Sequence, residues 1–171
     1  MIVHMSVQSA GETEKMIRRQ TGADDRTMQM LLTGIDSLRQ LVDDHAQVLD
    51  AGKLEELRAD VCASQKVQGM VDACTIVCGE MSDVRKVAEG YVGAQFIESD
   101  EDALDAVCEL INTANGVFAR SIIDDDEDLE PPFYRHTPSI VAGDEIYVLT
   151  MRLCDATVRF CIAYGAGIAG E

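Results

Sequence analysis

The chain has 171 residues, of which 47% are hydrophobic and 26% charged; it can bury one domain's core, and wholesale disorder is excluded. Its charge is unusual, because 31 Asp and Glu face only 14 Lys and Arg, a formal net of −17. Such a surface repels polyanions, which excludes nucleic acid and anionic membrane as partners.

The N-terminus has no basic start followed by an apolar run of secretory length, and no stretch approaches the roughly 20 apolar residues of a membrane span, so a cytoplasmic protein is expected. Cys62, Cys74, Cys78, Cys108, Cys154 and Cys161 are even in number but include no Cys-x-x-Cys pair. They read as buried, reduced thiols acting as small hydrophobes, with Cys74, Ile76 and Cys78 on one face of a strand. No metal site is expected, because His4, His45 and His136 are scattered.

In chain order, residues 1–20 are polar and show no clear period, which predicts a frayed start. Met28, Leu31, Ile35, Leu38, Val42, His45 and Leu49 then alternate spacings of three and four. This heptad-like seam predicts a helix over about 24–50, opened by Asp24 and Asp25 and stopped by Gly52. The seam can form a homodimer or dock on the protein's own sheet, and His45 within it reads as a packed or edge histidine rather than a ligand. An N-terminal helical segment, 1–56, is thus set apart from a domain over 57–171.

Residues 57–79 change period, and their β-branched residues and glycines predict paired strands. Ser82 suits the cap of a helix ending near Gly90–Gly93. Ser99 opens a second long helix, running to about Arg120, with Asp102 in the place of the usual Glu of a capping box. An acidic stretch follows at 124–130, and the tail predicts two or three strands with a tight reversal near Cys154–Asp155. The expected class is α+β: a mostly antiparallel sheet packed by two long helices, with an N-terminal helical extension.

The helix over 99–120 is the candidate to carry chemistry, the alternative being a solvated polar face on which Gly116 is an accident or begins a fray. Taking Asp105 as origin, Glu109 lies about 40° away, Asn112 about −20° and Gly116 about 20°. The apolar set of Ala103, Leu104, Val107, Leu110, Ile111, Ala114, Val117 and Phe118 centres on the opposite side, which predicts one buried stripe and an outward strip of Asp105, Glu109, Asn112 and Gly116. Glu109 can pair with a partner's cation. Asn112 offers a donor and an acceptor, enough to orient a water. Gly116 costs helix stability by up to about 1 kcal/mol but lets another backbone approach.

The series Asp105-x3-Glu109-x2-Asn112-x3-Gly116 resembles the signature of the CheC/CheX/FliY family of chemotaxis phosphatases, with one Glu/Asn pair as in CheX-like members. Pro138, in TPSIVAG, resembles the proline that follows in that signature, and the element order over 57–165 is similar to a CheX-like domain. The resemblance implies hydrolysis of the aspartyl phosphate on a phosphorylated receiver domain such as CheY. Asn112 would orient the attacking water, Glu109 would pair with the receiver's lysine, and Asp105, Gly116 and Pro138 would support them. Mg²⁺ would belong to the receiver, so no cofactor of the chain's own is implied. The alternative is a non-catalytic CheX-like module that docks a receiver or dimerises.

The charge also has an address. Residues 98–130 hold 12 acids and one base, a net of −11, whereas the other 138 residues carry only −6. A partner presenting a cation is therefore expected, and the resemblance puts that cation beside a phosphoryl group.

Overall fold

A computed structural model describes residues 9–67, 72–122 and 129–171. Two helices come first, α1 (Ala10–Thr21) and α2 (Asp25–Leu41), followed by strands β1 (Gln47–Arg58), β2 (Val61–Val67) and β3 (Ala73–Gly79). Helices α3 (Met81–Val92) and α4 (Asp100–Ile122) come next, and then β4 (Phe133–His136), β5 (Ser139–Leu153), β6 (Ala156–Tyr164) and β7 (Gly167–Ala169). The strands form one sheet in the order β1-β5-β6-β3-β2-β4, with β7 added to β5, and every pairing is antiparallel. The expected α+β class holds, and no helix among the described residues is long and apolar enough to cross a membrane.

The helices pack one face of the sheet. Met28, Leu31, Ile35 and Leu38 of α2 and Leu104, Val107, Leu110 and Ile111 of α4 share a core with Val77, Leu149, Phe160 and Ile162. Gly34 permits this approach, since a Cβ there would overlap the ring of Phe160. The part of the seam that lies on α2, Met28 to Leu38, is thus covered by the chain's own core, and an exposed helical seam no longer argues for a homodimer.

The second face buries Cys62, Cys74, Ile76, Cys78 and Cys161 with Leu57, Ile140 and Ile146. Register shifts in β1 between Val48/Asp50 and Leu54/Glu56 locally twist the β1–β5 ladder, as bulges do. Cys74, Ile76 and Cys78 share a face as alternation predicts, and all six cysteines are free thiols.

Three expectations need correction. The seam does not remain helical to residue 50. The Val42 N–H ends α2 on the Leu38 carbonyl, and Asp43 turns the chain by accepting from the N–H groups of His45 and Cys154, at 2.9 and 2.8 Å. His45 is therefore exposed in a loop, and Leu49 is an exposed residue of β1. The start is not frayed from residue 9 onward, because Ser9 and Glu12 form a complete capping box for α1, and the Gln20 side chain accepts the Ala51 N–H on β1 at 3.1 Å. Ser82 does not cap α3: Glu80 precedes the helix, and the Met81 N–H donates to Asp60 Oδ2 at 2.9 Å.

Elsewhere the local chemistry acts as expected. Gly93 ends α3. The Asp102 N–H donates to Ser99 Oγ at 3.1 Å, and Asp102 Oδ2 accepts from the Ser99 N–H at 3.2 Å, a reciprocal box opening α4. Leu153 pairs with Ala156 across a two-residue reversal in which Cys154 and Asp155 have φ of 53° and 56°, the left-handed pair that a tight hairpin with right-twisted strands requires. Most of the acidic stretch 124–130 lies outside the described residues.

Candidate functional site

Helix α4 lies across β2 and presents one margin to solvent beside β4. Its carboxylates divide into two groups. Asp100 sits 3.6 Å from the Arg85 guanidinium and Asp102 caps the helix. Asp105 and Glu109, one and two turns further on, are exposed and make no hydrogen bond or ion pair among the described residues. Both line a groove of about 670 Å³ whose other wall is the strand Phe133, Tyr134, Arg135 and His136. Arg135 lies over the Phe133 ring at 4.6 Å. The groove thus has carboxylates on one side and a cation with aromatic rings on the other.

The buried stripe of α4 is displaced from the position that the sequence predicts. Val117 is 41% exposed, whereas Cys108 and Asn115 are buried. This displacement draws the strip's lower end toward the sheet: Asp105 and Glu109 are exposed, but Asn112 and Gly116 are half-buried. Asn112 is therefore not a free surface amide. Its Oδ1 accepts a hydrogen bond from Gln65 Nε2 of β2 at 2.7 Å.

Gln65 is fully buried, and each of its polar atoms has a partner. Nε2 also donates to the Glu130 carbonyl at 2.8 Å, and Oε1 accepts from Asn115 Nδ2 at 2.8 Å. Asn115 Oδ1 in turn accepts from Thr75 Oγ1 of β3 at 3.0 Å. Buried amides are costly unless satisfied, and satisfied networks hold their members in one arrangement.

Sequence reasoning missed Gln65, Asn115 and Thr75. Two signals were present: an amide in an apolar strand, and a second amide on the border of α4's apolar arc. Neither reveals that the two meet, because Gln65 and Asn115 are 50 residues apart.

Gly116 has no packing reason among the described residues, where a Cβ would meet only the Arg120 guanidinium at 3.9 Å. Pro138 is buried in the turn between β4 and β5, where Thr137 has φ 46°. It follows the groove strand but lines neither the groove nor Asn112's surroundings. Cys108 is the candidate nucleophile nearest the strip. Burial, and then the charge of Asp105, push its thiol up to about 11, so it stays protonated at neutral pH. The strip can hold and orient groups; it offers no thiolate for attack.

No protein-family model and no curated protein matches the chain. Solved structures do match in fold. Chemotaxis protein CheX from Desulfovibrio desulfuricans is similar with a TM-score of 0.64 at 12% identity, over 82% of this chain and 99% of that one. A CheC-like superfamily protein from Shewanella sp. PV-4 gives 0.63 at 16%, over 86% and 99%. CheX from Borrelia burgdorferi, solved as a complex with CheY, BeF3 and Mg²⁺, gives 0.57 at 17%, over 86% and 99%. The molecule is an α+β protein with helices on one face of an antiparallel sheet. Its fold is that of the CheX and CheC-like chemotaxis proteins.

Proposed function

We propose that the chain docks the phosphorylated receiver domain of a CheY-like response regulator and hydrolyses its aspartyl phosphate. The observation that carries this reading is Asn112: an amide fixed by a buried partner, one helical turn from a carboxylate with no partner in the described chain, on a fold shared with a CheX that was solved bound to CheY. BeF3 bound to a carboxylate has the shape and charge of a phosphoryl group, so that complex also suggests the chemical state of the receiver that this face would meet.

The mechanism follows from what each side chain can supply. Glu109 pairs with the receiver's active-site lysine and sets the docking register; a charge without a partner among the described residues gives up water when it does so. Asn112 enters beside the phosphoryl group. Its Oδ1 keeps a second lone pair to accept from the attacking water, and its Nδ2 hydrogens reach toward a phosphoryl oxygen. Water held in line with the P–O bond replaces a bimolecular encounter by a positioned one, which accounts for rate without a covalent intermediate. Asp105 adds a contact near the groove, Gly116 gives clearance for the receiver backbone, and Pro138 shapes the turn behind the groove strand. Mg²⁺ belongs to the receiver, and the phosphatase brings no cofactor. As a receiver-directed protein it would work in the cytoplasm.

The test uses a panel of receivers from the same organism, phosphorylated with a small phosphodonor. Phosphate loss from the cognate receiver is expected to accelerate with wild type and to return to its intrinsic rate with Asn112→Ala. A wild type that co-elutes with the phosphorylated receiver without shortening its lifetime would establish a non-catalytic docking module instead.

A further inference from the structure

We propose that Gln65, Asn115 and Thr75 are positioning residues that fix which way round the Asn112 amide faces, and so determine its efficiency on a docked phosphoreceiver; this rests on the phosphatase reading above. The direction of the network is set at one point. The Glu130 carbonyl can only accept, so the Gln65 end that meets it, at 2.8 Å, must be the NH₂ group. One hydrogen of that group is then committed to Glu130 and the other to Asn112 Oδ1. Gln65 Oε1 must face Asn115, which turns Asn115 Nδ2 inward and leaves its Oδ1 to accept from Thr75.

Every amide in the series therefore has one satisfied orientation, and the last of them, Asn112, has its oxygen toward β2 and its Nδ2 hydrogens without a partner among the described residues. An end-for-end flip would set two NH₂ groups against each other in a site where Gln65 is shut off from water. The anchor is also held from its other side. The Glu130 N–H donates to the Lys66 carbonyl at 3.2 Å, and Leu129 bridges to Val67. The chain returning from the acidic stretch thus fixes Gln65, and through it the amide on α4.

Such an arrangement suits a catalyst whose contribution is geometry. A surface asparagine samples several χ2 angles and both amide orientations, and only one places acceptor and donors correctly. Preorganisation removes that search before the receiver arrives. None of the three residues needs to touch the receiver.

The experiment has two readouts. In the uncomplexed wild type, ¹⁵N relaxation of the Asn112 side-chain amide should report an order parameter near the ~0.85 of rigid backbone; a value below ~0.6 would overturn the proposal without reference to catalysis. In single-turnover assays with saturating protein, Gln65→Met should slow phosphate loss about tenfold, the worth of one well-placed hydrogen bond. Affinity for the receiver carrying BeF3 and Mg²⁺ should stay at the wild-type value. Thr75→Val should show a smaller loss of rate, again with unchanged affinity, and Thr75→Ser should restore it. If Gln65→Met fails to fold, the Thr75 pair and the wild-type relaxation decide the matter.

Wild-type rates in both Gln65→Met and Thr75→Val would overturn the relay while leaving the phosphatase intact. A wild type that does not speed phosphate loss would instead sink the phosphatase reading. The relaxation measurement would then still show whether Asn112 is held.

Discussion

Helices α2 and α4 both carry a regular stripe in the sequence, and the structure uses them in opposite ways. The stripe of α2 is apolar throughout and is wholly covered by the chain's own sheet, with Gly34 cut back so that Phe160 can approach. The strip of α4 mixes two carboxylates, an amide and a glycine, and among the described residues the amide is the side chain of that set with a hydrogen-bond partner. Periodicity says that a stripe will be covered but not by what. An unlike set of polar residues on one strip is the more informative signal. The half-buried member of that set, tied down from within, is where the chemistry concentrates.

This contrast can be broken at single residues. The largest effect should come from Asn112→Ala, which ought to cut the rate of phosphate loss from the docked receiver by ~10²-fold or more, as removal of a positioned donor does. Its stability in thermal unfolding should fall by about 1–3 kcal/mol, because buried Gln65 Nε2 loses one of its two acceptors.

Gly34→Ala should act in the reverse sense. Overlap with the Phe160 ring should cost about 1–3 kcal/mol of stability in urea titrations, while the activity of the molecules that remain folded is unchanged. Adding Phe160→Leu should recover part of that loss.

Glu109→Lys should weaken receiver binding about tenfold, near 1.4 kcal/mol. The deficit should shrink as salt rises, because the interaction is an exposed ion pair. Titration calorimetry at two ionic strengths measures both.

Gly116→Ala is the smallest and sharpest test. Nothing among the described residues opposes a methyl group there, so helix propensity should raise stability by up to about 1 kcal/mol. Receiver affinity should nevertheless fall severalfold, because the methyl group fills the clearance. A variant that is more stable and binds equally well would remove Gly116 from the site.

Much of the architecture was legible from residue chemistry. The Ser99–Asp102 box, Gly93, the β2–β3 pair and the Cys154–Asp155 reversal are local devices, and local devices can be read directly. The helix over-extended to residue 50 shows the limit. Val42, His45 and Leu49 happen to continue the seam of α2, yet the Asp43 carboxylate captures two backbone N–H groups, one of them on Cys154, and the chain turns into an edge strand. The Ser9–Glu12 box was equally local and was overlooked because residues 1–20 have no apolar period.

At the site, Asp105, Glu109 and Asn112 could be placed on one strip from spacing. Their different burial could not, because it follows from the way α4 rotates Cys108 and Asn115 onto β2. The relay from Thr75 to Asn112 was beyond reach for a related reason: its members come from three elements, and only the folded sheet makes them neighbours.

The central claim is turnover. It is tested most directly by adding the protein at about one-twentieth of the concentration of its phosphorylated receiver and following phosphate release. The account predicts that the whole receiver pool loses phosphate faster than its intrinsic rate, with Asn112→Ala inert under the same conditions. Release confined to the intrinsic rate, with the protein bound to its equivalent of receiver, would contradict it.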